Sequence, residues 1–302
     1  MASYQQIFAE YQALLQPNVN NALEILIQKY LKALSDKTGR NVIAYYSGFL
    51  NAPDVNGIQV NDDDKNGFMI TCKGLDRTKG LDLILHTPGG DIAATESIVY
   101  YLRKMFDTDI RAIIPLSAMS AGTMIACSCK EILMGKHSNL GPIDPQFNGL
   151  PTHGVLEEFE KAKQEIKADP SLIPLWQTII SKYHPTFLGE CEHALIWSKE
   201  IVCEWLESGM FKNDANKAQI AKDITEKLSD HKQTRTHARH ISIDECKRIG
   251  LKINEFESDQ PLQDCILDVH HAFMIALSTN NNLVKLITNQ NGDLHFRAFA
   301  AR

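Results

Sequence analysis

The chain has 302 residues, 44% of them hydrophobic and 23% charged, with a formal net charge of −6, a balance that suits a soluble globular protein with a full core. That acidic balance, with a pI near 6.0, excludes a broad nucleic-acid surface, which needs clustered positive charge to displace counterions. No apolar stretch reaches the roughly 20 residues that span a bilayer, so no membrane span is expected.

The opening MASYQQIFAEYQALL lacks the basic start and apolar run of a signal peptide, which points to a cytoplasmic protein. Residues 4 to 35 read as two amphipathic helices. Ile7, Tyr11, Leu14 and Leu15 recur at helical spacing, as do Leu23, Leu26, Ile27, Leu31 and Leu34 after Pro17. Their apolar stripes are expected to pack on the core or on a sister subunit. From Asn41 the character changes: VIAYYS reads as a short buried strand, and a turn-rich loop follows with Asn56-Gly57. Asp62, Asp63 and Asp64 lack the alternating ligand spacing and closing glutamate of a calcium loop, so an acidic helix N-terminus is expected there.

The stretch from Leu81 to Gln146 is the most informative. DLILHT is a strand running into Pro88-Gly89-Gly90-Asp91, and Ile92 to Phe106 has helical periodicity. IRAIIPL is a second strand, and the small-residue turn Ser117-Ala118-Met119-Ser120-Ala121-Gly122 opens another helix before EILM and HSNLGPIDPQ. Strands alternating with helices predict a parallel sheet with right-handed crossovers, and ligand chemistry in such sheets gathers at the C-terminal strand ends, where both glycine turns lie. Beyond Pro151 the pattern is mostly helical to about Leu277, interrupted between His237 and Ile253 by a loop and the short helix IDECKRI, which Gly250 ends. LVKLITNQNGDLHFRAF reads as a hairpin around Asn291-Gly292.

The seven cysteines are odd in number and scattered, and Cys127-x-Cys129 is not a C-x-x-C pair, so neither a disulfide framework nor a metal site is expected. Three local features fit one chemistry. Ser120 follows a buried strand and begins a helix, whose free N–H groups, that of Ala121 included, favour an anion. Ala118, Ala121 and Gly122 leave room for a substrate carbonyl, and Gly89 and Gly90 supply a second exposed backbone stretch. Such N–H groups can form an oxyanion hole, with each donor contributing roughly 3–4 kcal/mol. Each piece also has a plain reading, since serine at a helix start is commonly an N-cap and P-G-G is commonly a turn.

The segments LILHTPGGDIAATESIVYYL, IIPLSAMSAGTMIA and ILMGKHSNLGPIDPQ, in this order and spacing, resemble the core of the Clp protease proteolytic subunit. The chain is more closely similar to the serine dehydrogenase proteinase family, a Clp-fold branch, through Ala118–Thr123 and Leu140–Gln146. The likeness is strong over about residues 40 to 150 and weak over about 235 to 255. It implies an α/β, ClpP/crotonase-like core of repeated ββα units, with N-terminal helices over 1–40, a peptidase domain over 41–302 and a helical insertion at about 151–235.

It also implies a serine peptidase with a Ser–Asp–His triad: Ser120 matches the nucleophile, Asp144 the acid, and His237 is the best match to the base. Relatives carry an acidic or glycine residue and an aromatic–proline pair after that histidine, where this chain has Ala238, Arg239 and His240. His240 is therefore the nearest alternative base, and Lys136, Lys161 and Lys163 keep a serine–lysine arrangement open. His86 and His137 are expected to be structural, and His270-His271 to serve packing or the surface. Peptides or proteins are the implied substrates, and no cofactor is implied. The family's habit is a closed homo-oligomer, and an unfoldase or other protein partner stays open. The competing readings are a crotonase-type acyl-CoA enzyme, which needs no serine nucleophile, and a non-catalytic scaffold on a degenerate core.

Overall fold

A computed structural model describes residues 3–15, 21–52, 55–147, 149–230, 236–280 and 282–298. The break at Pro17, part of the loop before Asn56 and the end of the last extended run at Phe299 lie outside the described residues. The chain begins with α1 (Tyr4–Leu15), α2 (Ala22–Thr38), β1 (Asn41–Ser47), α3 (Asp63–Cys72), β2 (Leu81–His86) and α4 (Ile92–Phe106). Next come β3 (Ile110–Ile114), β4 (Ser117–Ala118), α5 (Ala121–Cys127), β5 (Glu131–Met134), β6 (Asn139–Leu140), β7 (Gln146–Phe147) and β8 (Leu150–Pro151). Four helices follow: α6 (Thr152–Ala168), α7 (Ile173–Ile180), α8 (Phe187–Ser208) and α9 (Lys217–Ser229). The chain then runs through β9 (Ile241–Ser242), α10 (Ile243–Ile249), β10 (Ile253–Glu255), α11 (Gln260–Thr279), β11 (Leu283–Asn289) and β12 (Leu294–Ala298).

The central sheet has the order β10-β5-β3-β2-β1-β11-β12. The strands from β10 to β1 are parallel, and the hairpin of β11 and β12 joins β1 antiparallel. Side chains alternate across it as strand geometry requires. Ile43, Tyr45, Leu83, Leu85, Ala112 and Ile114 face one core, shared with Leu102 of α4, Met124 of α5 and Val202 of α8. The intervening Val42, Ala44, Tyr46, Ile84 and Ile113 face a second core, filled by Leu26 and Leu31 of α2 and Phe273 of α11. The strands are therefore apolar on both faces, which is why they read as continuous runs and not as alternations. The apolar stripes of α1 and α2 meet this second core, where Ile7, Leu26, Leu31 and Leu34 are fully buried.

Two strands lead to the site in the same way. After β2 the chain makes isolated bridges at Thr87 and Gly90 before α4; after β3 it forms β4 before α5. A second, small sheet with the order β4-β6-β9 lies beside these turns. At the opposite end of the sheet the buried carboxylate of Asp82 takes Arg40 at 2.8 Å and Arg111 at 2.7 Å. The acidic run does open α3, but Asp64 is only 2% exposed and is paired inside the protein with Lys285. The acidic helix start expected from the sequence is present, and its third aspartate is also one half of a buried ion pair.

Candidate active site

Ser120 occupies the N-cap position of α5 with its backbone at φ 50° and ψ −113°. Among the described residues only Ser120 and Asp107 combine a side chain with a positive φ. Holding a non-glycine residue in such a region costs on the order of 1–3 kcal/mol. The Ser120 side chain makes no cap hydrogen bond, so the plain N-cap reading of this serine fails. The surrounding backbone fixes the turn: the Met119 N–H donates to Thr87 O at 3.0 Å, and the Gly122 N–H donates to Met119 O at 2.8 Å. The Thr123 hydroxyl lies 2.9 Å from the carbonyl oxygens of Ala118 and Gly141 and accepts the Gly141 N–H at 2.9 Å. Thr123 thus ties the serine turn to the LGPIDP block, a role its place inside a small-residue run did not announce.

The glycine turn lies alongside. Val60 pairs with Gly90: the Val60 N–H donates to Gly89 O at 2.8 Å, and the Asp91 N–H donates to Val60 O at 2.9 Å. That pairing leaves the N–H of Gly90 itself on the side away from Val60. The Gly89 N–H instead donates to Thr87 Oγ1 at 3.2 Å. Ala121 is the first residue of α5, so its N–H has no acceptor within the helix. Of the three backbone donors grouped from the sequence, Gly90 and Ala121 are the ones whose N–H groups stay available.

Asp144 is fully buried, and its Oδ1 accepts a hydrogen bond from His237 Nδ1 at 2.9 Å. With the proton on Nδ1, the Nε2 atom is left as a base. The carboxylate's loop is anchored on both sides, by Ile143 N–H to Leu228 O at 3.1 Å and by Thr152 N–H to Pro145 O at 3.1 Å. Asp144 and His237 are 93 residues apart, and the pairing of Leu140 in β6 with Ile241 in β9 brings their segments together. Asp144 Oδ2 is buried with no hydrogen-bond partner among the described residues. A single donor, His237, therefore faces this carboxylate.

Ser120, Gly89, Gly90 and His237 line one cleft of about 680 Å³. Its apolar wall includes Met124, Ile143, Phe147 and Trp197. Trp197 comes from α8, so the helical region beyond Pro151 supplies part of the cleft. His240 is exposed and lies outside that lining. Lys161 and Lys163 point to solvent beside Glu158 and Glu160, at 3.8 and 3.3 Å, and Lys136 is exposed as well. The structure brings none of these alternative bases into the cleft. Among the described residues no cluster of three or more His, Cys, Asp or Glu could hold a metal, and no helix is long and apolar enough to cross a membrane.

His86 is 1% exposed, and burial pushes its pKa down to about 4. It packs against Tyr46, Phe49 and His270 with ring centroids 5.3, 4.9 and 5.7 Å away. His270 is also buried and shares a hydrogen bond with the Tyr46 hydroxyl at 3.2 Å. These histidines belong to the second core, as packing residues. His137 is exposed, with its ring 5.9 Å from that of Phe256.

A family model described as ClpP-like SDH-type serine proteinase matches residues 7–263. Two uncharacterised proteins of Methanocaldococcus jannaschii are similar in sequence. One is 28% identical over 237 residues, covering 77% of this chain and 74% of the relative. The other is 30% identical over 174 residues, covering 58% of this chain and 52% of the relative. Among solved structures, a mutant of a membrane-bound stomatin-specific protease aligns with 15% identity and a TM-score of 0.38, covering 65% of this chain and 74% of that one.

Proposed function

The chain belongs to the ClpP-like SDH-type serine proteinases, and from that premise we propose that it hydrolyses peptide bonds through an acyl-enzyme on Ser120. Asp144 and His237 complete the triad, and the N–H groups of Gly90 and Ala121 form the oxyanion hole. One observation carries the reading: an uncapped serine in a strained backbone shares a cleft with a histidine whose Nδ1 is held by a buried carboxylate. Strain of this kind persists where surrounding structure enforces it and gathers at active sites.

In the reaction, His237 Nε2 takes the Ser120 proton as Oγ adds to the substrate carbonyl. Asp144 keeps the imidazole in the productive tautomer and stabilises its charged form. The carbonyl oxygen, now anionic, lies against the Gly90 and Ala121 N–H groups. His237 then gives its proton to the leaving amine, and the C–N bond breaks. Water, deprotonated by the same imidazole, releases the acid and restores Ser120. The dipole at the start of α5 adds to the stabilisation of the oxyanion. Residues 41–302 would then form the peptidase domain, with the helical elaboration at about 151–235 walling the cleft through Trp197. Substrates are peptides or unfolded protein segments able to enter a cleft of mixed polar and apolar lining.

The test is hydrolysis of a peptide library by the wild-type protein, Ser120→Ala and His237→Ala. Turnover should fall at least a thousandfold in both variants. Equal rates in wild type and Ser120→Ala would remove the serine from the mechanism.

A further inference from the structure

Lys285, on β11, is the one buried lysine or arginine among the described residues, with a side chain only 3% exposed. Its ammonium lies 2.7 and 2.8 Å from the two oxygens of Asp64 and donates to Gln59 O at 2.7 Å. Asp64 Oδ2 also accepts from the Tyr45 hydroxyl at 2.9 Å and from the Asn61 N–H at 3.0 Å. The pair is thus fully hydrogen-bonded, yet it sits where two apolar side chains would pack. Desolvation outweighs the pull of Asp64 and lowers the lysine's pKa. Buried ion pairs contribute little net stability, so this one calls for another reason.

Its position supplies one. Gln59, whose carbonyl Lys285 holds, is followed by Val60, the residue bridged to Gly90. The same short segment is held by Ser47, the cross-strand partner of Lys285, whose hydroxyl donates to Ile58 O at 2.7 Å. Val60 is tied to both sides of Gly90 by the Val60 N–H to Gly89 O and Asp91 N–H to Val60 O bonds, and it approaches so closely that a Cβ on Gly90 would collide with its backbone. A shift of residues 58–60 is therefore passed to Gly90 through these bonds. Gln59 also lines the cleft.

We propose that Lys285 is a positioning residue, which acts through Gln59 and Val60 to fix the direction of the Gly90 N–H toward the oxyanion. The inference rests on the peptidase reading above and adds to it a remote determinant on the C-terminal hairpin. It predicts a defect confined to the transition state. A displacement of about 1 Å at a reacting group can cost on the order of a hundredfold in rate, so a loss of roughly 10- to 100-fold in kcat is expected when the anchor is removed.

The test uses Lys285→Met, the charge-neutral pair Asp64→Asn/Lys285→Met, and Tyr45→Phe, which removes a single hydroxyl from the cluster and keeps the ion pair. The readouts are kcat and KM on a neutral peptide, inhibition by a peptide aldehyde, and peptide binding in a Ser120→Ala background. The expected result is a fall in kcat with little change in KM. Aldehyde affinity should fall by the same factor, binding to the serine-less protein should stay unchanged, and Tyr45→Phe should show a smaller loss of the same kind. Wild-type kcat and aldehyde affinity in the folded charge-neutral variant, or in Tyr45→Phe if that variant does not fold, would overturn the proposal. If wild-type hydrolysis survives Ser120→Ala, the peptidase reading has failed instead, and that control separates the two outcomes.

Discussion

Gly89 approaches Ser120 so closely that a Cβ built on the glycine would fall 2.6 Å from the Cβ of the serine and 2.7 Å from Met119 O. Gly89 also holds φ at +96°, a conformation that side chains rarely adopt. Sterics and backbone strain therefore act together on Gly89→Ala. We expect a loss of about 1–3 kcal/mol in stability. Activity should fall at least tenfold at a temperature where the variant is still folded, because the serine turn must move to admit the methyl group. Thermal denaturation together with kcat/KM at 25 °C checks both halves. A variant that melts early but works normally when folded would show that the contact is structural only.

The 2.9 Å bond between His237 and Asp144 makes a second prediction. Asp144→Asn preserves shape but presents the imidazole with a different hydrogen-bonding partner. Where a triad carboxylate is replaced in this way the loss is about 10⁴-fold in kcat. A loss of similar size is expected here, with substrate binding largely retained. His237→Ala should be equally damaging, whereas His240→Ala should stay within about twofold of wild type, the exposed His240 being outside the cleft. Reversal of that order would move the base to His240.

A third prediction concerns acid. Burial lowers the pKa of His86 to about 4 and that of His270 to about 3, with the charges of His86, His271 and His137 adding to the shift on His270. In the unfolded chain both return to an ordinary value near 6.5. Between pH 6.5 and about 4 the unfolded state therefore binds protons that the native state refuses, and stability falls as pH falls. Above pH 6.5 both histidines are neutral in both states and their contribution is flat. His86→Phe should keep the aromatic packing with Tyr46 and Phe49 while making the decline between pH 6.5 and 4.5 shallower. Urea denaturation at several pH values measures this. Parallel curves for variant and wild type would contradict it.

Much of this was legible in the sequence, for identifiable reasons. The strands β1, β2, β3 and β5 announced themselves because sheets covered on both faces need uninterrupted apolar runs. The hairpin of β11 and β12 was marked by Asn291-Gly292, and Gly292 indeed takes φ +88°. Ser120 was visible as a serine in a small-residue turn, but its strain was not, because φ at Ser120 depends on Thr87 and Met119 packing around it. The pairing of Asp144 with His237 depends on β6 meeting β9, a contact with no local signature. The acidic helix start at Asp63 and Asp64 was legible, but the burial of Asp64 was not, because its partner Lys285 lies 221 residues away.

The central claim is that Ser120 is the nucleophile, and an active-site-directed fluorophosphonate tests it directly. Mass spectrometry of the labelled, digested protein should find one adduct, on the peptide that contains Ser120. That adduct should be absent from Ser120→Ala and formed much more slowly in His237→Ala. A crotonase-type enzyme or an inert scaffold on this core would not label. An unlabelled wild-type protein, or label that persists in Ser120→Ala, would contradict the mechanism.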